Sequence, residues 1–247
     1  MNNPMRYVLA GMLAVAGTVA GRAEAGVVIG GTRVVYPSQE KEVTVKFTNE
    51  GGKPSLVQVW LDDGDESSTP DTAKVPFTVA PPVFRLDPGK GQAVRVMHTG
   101  ETLSADRETL FWLNLLDVPP KADNAEGRNL LQFAFRTRIK VFYRPSGLAG
   151  DVNTAPDKLV WALTQTGGKV ALQATNPTPY HVNFAHVGLN VGGKSLGRQS
   201  GGMVAPMSTA TFVQDGVGTR PSGDVKAEIT VINDFGALIE TLKPLSP

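Results

Sequence analysis

Short extended runs cut apart by turn residues constrain this chain more than any other feature. VTVKFTN (43–49), SLVQVWLDD (55–63), AVRVMHTG (93–100), TLFWLNLLDV (109–118), KVALQATN (169–176), STATFVQ (208–214) and VKAEITVIND (225–234) are rich in Val, Thr, Leu and Phe. Asn49-Glu50-Gly51-Gly52, Asp87-Pro88-Gly89 and Gly167-Gly168 divide such runs, drawing on a pool of 27 glycines and 18 prolines. No long helical period appears; the one short helical candidate lies around Ser104–Glu108. Many short strands with regular turns define antiparallel β-sandwiches. The composition shifts at Pro145-Ser146-Gly147-Leu148-Ala149-Gly150, a linker signal. Each side of that linker is close to the roughly 100 residues of one immunoglobulin-like sandwich. The expectation is an all-β chain with two such domains, over 26–146 and 147–247.

The first 25 residues read differently. A short head whose only charge is Arg6 precedes an apolar and small-residue run, Tyr7–Ala20, and Ala23-Glu24-Ala25 stands before Gly26. That order is the pattern of a cleavable secretory signal peptide. The run is shorter than the roughly 18 apolar residues of a membrane span, so export of the remainder is expected. The chain has no cysteine, so each exported domain has to be stable through its own core. A formal net charge of +1 gives no electrostatic reason to expect nucleic acid as a partner.

Catalytic and metal chemistry find little support. The three histidines are His98, His181 and His186. His181 and His186 are five apart, which on one strand sends them to opposite faces and makes them poor joint metal ligands; all three read as surface or packing residues. Gly188-Leu-Asn-Val-Gly-Gly-Lys-Ser195 matches the phosphate-loop pattern. That pattern works only where a strand leads into a helix, whereas Gly197, Gly201, Gly202 and Pro206 follow here. Gly192-Gly193 reads better as a hairpin turn. Neither an enzyme, nor a cofactor, nor a nucleotide is expected.

The densest pattern is NLLQFAFRTRIKVFYRP (129–145). Leu131, Phe133, Phe135, Ile139 and Val141 occupy odd positions, and Gln132, Arg136, Arg138, Lys140 and Arg144 even ones. A strand with this alternation has one apolar and one polar face. Upstream, Asp106-Arg107-Glu108 precedes Trp112, Asn114 and Val118-Pro119. With Thr32-Arg33-Val34, Arg85-Leu-Asp-Pro-Gly89, Asn176-Pro-Thr-Pro-Tyr180 and Ile232-Asn-Asp-Phe-Gly236, these motifs run through the chain in order. Together they closely resemble the PapD-like periplasmic chaperones, which assemble pili by the chaperone–usher route. Ser104 departs slightly from the family pattern. The short segment between Pro120 and Leu130 and the lack of cysteine resemble the family's short-loop branch.

The resemblance implies two Ig-like domains in an L-shaped arrangement with a cleft between them. It implies that 129–145 is the last strand of the first domain, lying along an edge and lent to pilus subunits that lack a strand. Leu131, Phe133 and Phe135 would enter the subunit's groove; the bland alternative is that they only face their own core. Arg33 and Lys140 match the family's pair that holds the subunit's C-terminal carboxylate, and Glu108, Arg144 and Asp234 match its interdomain ion network. The implied partners are pilus subunits and an outer-membrane usher, in the periplasm of a Gram-negative bacterium, with self-association of the free protein left open. The rival reading is a secreted Ig-like pilus subunit or adhesin. A subunit should carry a donor segment ahead of one incomplete sandwich, whereas this chain enters its first strand soon after Gly26.

Overall fold

The structure, a computed structural model, describes residues 26–121 and 131–246. The signal-peptide reading, nearly all of the loop after Pro120 and the first two residues of the 129–145 stretch fall outside the described residues. The amino-terminal half contains β1 (Val27–Ile29), β2 (Arg33–Pro37), β3 (Glu42–Asn49), β4 (Ser55–Asp62), β5 (Phe77–Ala80), β6 (Val83–Leu86), β7 (Gly91–His98), β8 (Thr109–Val118) and β9 (Phe135–Arg144). They form two sheets, ordered β1-β3-β7-β5 and β2-β9-β8-β4-β6. Alternation along each strand fills the space between the sheets. Val45, Phe47, Val94 and Val96 enter from one sheet, and Val57, Val59, Leu113, Leu115 and Val141 from the other.

The carboxy-terminal half contains β10 (Val160–Thr166), β11 (Lys169–Asn176), β12 (Val182–Val191), β13 (Lys194–Ser200), β14 (Met203–Val204), β15 (Ser208–Val213), β16 (Val225–Ile232) and β17 (Leu238–Pro244). Its sheets are β10-β11-β15 and β13-β12-β16-β17, with β14 beside β12. A separate core gathers Trp161, Leu172, Phe184, Leu189, Phe212 and Ile229. Two cores, each closed by two sheets, make two Ig-like sandwiches.

Three local expectations meet the structure here. Gly192 and Gly193, at φ 56° and 87°, form the two-residue turn joining β12 to β13, where Val191 pairs with Lys194. Left-handed conformations at both positions define a hairpin turn that glycine favours, so the phosphate-loop pattern is a hairpin. The short helix expected around Ser104–Glu108 is a correction: residues 105–107 form a bend flanked by irregular chain, and the helical piece among the described residues is a 3-10 turn at Ala155–Lys158. The Glu108 amide donates to the Pro179 carbonyl at 2.9 Å instead of closing a helical turn.

The third concerns the last strand of the first domain, expected over 129–145. Strand β9 starts only at Phe135, whose partner on β8 is Asp117. Beyond it β8 runs into Pro119-Pro120, which cannot donate to a ladder. Residues 131–134 therefore continue past the sheet without a partner strand, held by Gln132 Nε2 donating to the Pro119 and Pro120 carbonyls at 2.7 and 2.9 Å.

Candidate functional site

The opening segment changes sheets, and that change exposes the site. Strand β1 pairs with β3; the chain then crosses at Gly30-Gly31-Thr32, and β2 pairs in parallel with β9. The β2 register covers only Lys140–Arg144 of β9. Residues 135–139 pair with β8 on one side and face no strand on the other. The expected edge is thus half an edge. Along it Leu131, Phe133 and Phe135 are 79%, 59% and 66% exposed, whereas Ile139 and Val141 lie in the domain core. The apolar row divides where the sheet ends, and its first three members do not face their own core.

Where the open half stops, two cations stand side by side. Arg33 and Lys140 are register partners across the β2–β9 pair. Both reach the second domain: Arg33 Nη1 donates to the Ile232 carbonyl at 3.2 Å, and Lys140 Nζ to Asn183 Oδ1 at 2.6 Å. Among the described residues neither forms an ion pair, and Arg33 Nε is buried with no partner. Burial, with Arg33's charge added, pushes the Lys140 ammonium down to about 8; burial likewise lowers Arg33, against the opposing charge of Asp234. Two partly buried like charges lacking an anion make a site whose charge is best neutralised by a carboxylate from outside.

The displaced Lys140 gives a pH prediction with two signs. Between about 8 and the 10.5 of an ordinary lysine, the unfolded chain binds more protons than the folded one, so stability rises with pH across that window. Carboxylate binding needs the ammonium and should weaken across the same window. Thermal melts and anion binding measured from pH 7 to 10 should therefore trend oppositely.

The other cations of β9 are accounted for by its own sheet. Arg138 Nη2 donates to Asp62 Oδ1 at 2.6 Å, and Arg136 Nε to Asn114 Oδ1 at 2.9 Å. Asn114 Nδ2 donates in turn to Asp62 Oδ2 at 2.7 Å. Arg136 lies over the Trp60 ring, and Arg138 and Lys140 over Trp112, a favourable use of ring faces. Burial pushes the Asp62 carboxyl upward, but hydrogen bonds from Asn114, Gly64 and Arg138 outweigh it and hold it below the usual carboxylate range. Substituting Asp62→Asn keeps the shape and removes the charge; the expected loss is about 2 kcal/mol, the usual scale for hydrogen bonds to charged groups, read by urea denaturation.

Between the domains, Arg144 joins the other two residues of the expected network, Glu108 and Asp234. Its Nε donates to Glu108 Oε1 at 2.6 Å, and its two terminal nitrogens donate to Asp234 at 2.7 and 3.0 Å. Burial works against the guanidinium's charge, but Asp234 and Glu108 together raise its pKa. Glu108 Oε2 also accepts from the His181 amide at 2.7 Å and lies 3.0 Å from His181 Nδ1. The Asn176-Pro-Thr-Pro-Tyr180 motif delivers that residue. Buried Asn176 donates to the Tyr180 carbonyl and accepts from the Thr178 amide, folding the turn that carries His181 to the cleft. Glu108, Arg144, His181 and Asp234 line a cavity of about 80 Å³ contributed by both domains. His181, read as an ordinary histidine from sequence, is a member of the network; Asp62, Trp60 and Asn183 were also missed. The Trp60/Asp62 and Trp112/Asn114 spacing of two, facing alternate arginines, was the available signal for Asp62 and Trp60.

A two-sandwich protein with a basic cleft beside a half-open strand defines a narrow class, and the comparisons place the chain in it. Residues 26–149 match the family described as pili and flagellar-assembly chaperone, PapD N-terminal domain, and residues 154–242 match pili assembly chaperone PapD, C-terminal domain. The chain belongs to this family. The probable fimbrial chaperone YadV of Escherichia coli (strain K12) is 45% identical over 219 residues, covering 87% of this chain and 88% of that protein. Chaperone protein FimB/FhaD of Bordetella pertussis is 41% identical over 225 residues, with 90% and 88% covered. The crystal structure of YadV superposes with a TM-score of 0.76, covering 90% of this chain and 100% of that one. The Salmonella enterica SafB chaperone, solved in complex with the SafA pilin, is 30% identical with a TM-score of 0.71, covering 89% and 96%.

Proposed function

We propose that this protein is a periplasmic chaperone that folds and caps pilus subunits and delivers them to an outer-membrane usher by lending them a strand. The carrying observation is the open half of β9, preceded by exposed Leu131, Phe133 and Phe135 and closed by Arg33 and Lys140. Backbone groups on the open edge can pair with a subunit strand without reading its sequence. The three apolar side chains fill a groove in the subunit's sandwich, each contributing roughly 1.5–3 kcal/mol when fully buried. Arg33 and Lys140 take the subunit's C-terminal carboxylate and set the register, because a one-residue slip would turn every apolar side chain to the wrong face. Glu108, Arg144 and Asp234 fix the angle between domains 26–146 and 147–247. Residues 1–25 direct export and are then removed.

Delivery needs no nucleotide in this scheme. A borrowed strand fills the subunit's groove at less than native packing, and the next subunit's own extension, packed better, displaces it at the usher.

Co-expression with candidate pilus subunits, followed by mass measurement of the purified complex, tests the proposal: one subunit held by one chaperone is expected. Phe133→Lys should abolish that complex, and Gln132→Lys should leave it largely intact, because the side chain at 132 is turned onto Pro119 and Pro120 and a lysine can still donate to their carbonyls. Equal effects at the two positions, with stability unchanged, would contradict the face assigned to the lent strand.

A further inference from the structure

Asn183 stands opposite the two cations on the other domain. It is 4% exposed, and its register partner on β16 is Ile232. The site is therefore built from two register pairs, Arg33 with Lys140 and Asn183 with Ile232, joined across the cleft by two hydrogen bonds. Lysine donates and cannot accept, so the Asn183 side chain must turn its oxygen to Lys140. Its Nδ2 group is then left over, and among the described residues it donates to no atom. Nδ2 is not sealed off from solvent, so it is a free donor facing the cleft beside two cations that form no ion pair, placed to complete a site for an incoming acceptor.

We propose that Asn183 is a third ligand of the carboxylate site: its Oδ1 positions the Lys140 ammonium, and its Nδ2 donates to the carboxylate that Arg33 and Lys140 receive. This rests on the carboxylate reading given above and adds the second domain to it. Its consequence is that anion capture requires the domains to be correctly apposed. The interdomain network begins two residues along the chain from each, just off the strand ends, at His181 and Asp234, so the carboxylate site and the hinge share one frame.

The test uses the C-terminal segment of the subunit retained in the co-purification, synthesised as the free acid and as the amide. Binding to the mature wild type, Asn183→Asp and Asn183→Ala is measured by fluorescence anisotropy, with folding checked by thermal melts. Asp has the same shape and still accepts from Lys140, but it brings a competing negative charge and loses both donors. The wild type should prefer the free acid, and Asn183→Asp should weaken acid binding at least about tenfold, a step of about 1.4 kcal/mol, with amide binding unchanged. In the wild type, the Asn183 side-chain amide resonance should shift with the acid and not with the amide.

A preference for the acid that survives undiminished in both variants overturns the role of Asn183 alone. Equal weakening of acid and amide assigns Asn183 a merely structural part and also overturns the proposal. If the wild type binds acid and amide alike, the Arg33–Lys140 carboxylate site itself is wrong, and this inference falls with it.

Discussion

Arg144→Ala is expected to cost about 3–5 kcal/mol of stability, the scale for breaking a buried ion pair by removing one partner. The arginine sits between two carboxylates, and the Glu108 side chain is only 1% exposed. Without the guanidinium, Glu108 keeps the His181 amide and ring as partners but loses its permanent counter-charge. Most of the cost is this stranded carboxylate, because water cannot reach it freely. Asp234, with its side chain 25% exposed, can recover solvent contact and adds less. Urea denaturation monitored by tryptophan fluorescence measures the loss. Trp161 reports the second core, and Trp60 and Trp112 report the β2-β9-β8-β4-β6 sheet of the first domain, so loss of the interdomain tie should also separate the two domains' transitions. A loss below about 1 kcal/mol, the range of exposed pairs, would show that the network contributes no more than a surface salt bridge.

Arg33→Ala with Lys140→Ala should have the opposite profile, with folding retained and subunit capture lost. Neither cation has an anionic partner to strand, so removing both relieves like-charge repulsion and burial cost. What disappears is the pair of donors proposed to hold the carboxylate. Two charge-assisted hydrogen bonds at roughly 1.5–3 kcal/mol each correspond to a loss of about two to four orders of magnitude in affinity. Co-purification of a subunit with wild type and with the double variant measures this directly. Undiminished retention by a folded double variant would remove the carboxylate anchor from the account.

These contrasting outcomes show which parts of the molecule were legible in its sequence. Strands β3, β4, β7, β8, β11, β15 and β16 follow from runs of the right length and composition. Gly192-Gly193 was recognisable because two adjacent glycines between extended runs leave few alternatives. Arg33, Lys140, Glu108, Arg144 and Asp234 came from motif resemblance, and the structure brings them into two neighbouring groups in the cleft. Periodicity could not have paired them, since Arg144 and Asp234 are 90 residues apart in the chain.

The remainder depended on tertiary placement. Alternation alone predicted one continuous apolar face over 129–145, yet Phe135 is exposed and Ile139 buried on the same side. The difference is where β8 stops and where β2 begins to cover β9, which no local pattern records. His181 and Asn183 looked ordinary because their partners, Glu108 and Lys140, come from the other domain. Asp62 was hidden at the end of an apolar strand, where it accepts from two arginines of β9.

The central claim is that the open half of β9 is the strand lent to a subunit. Residue-resolved amide hydrogen exchange, compared between the free mature protein and its subunit complex, tests it most directly. The account predicts new protection at alternate amides over 131–139, with little change in Lys140–Arg144, which β2 already covers. Exchange over 131–139 unaltered by the subunit, with protection appearing instead on an edge such as β17, would contradict it.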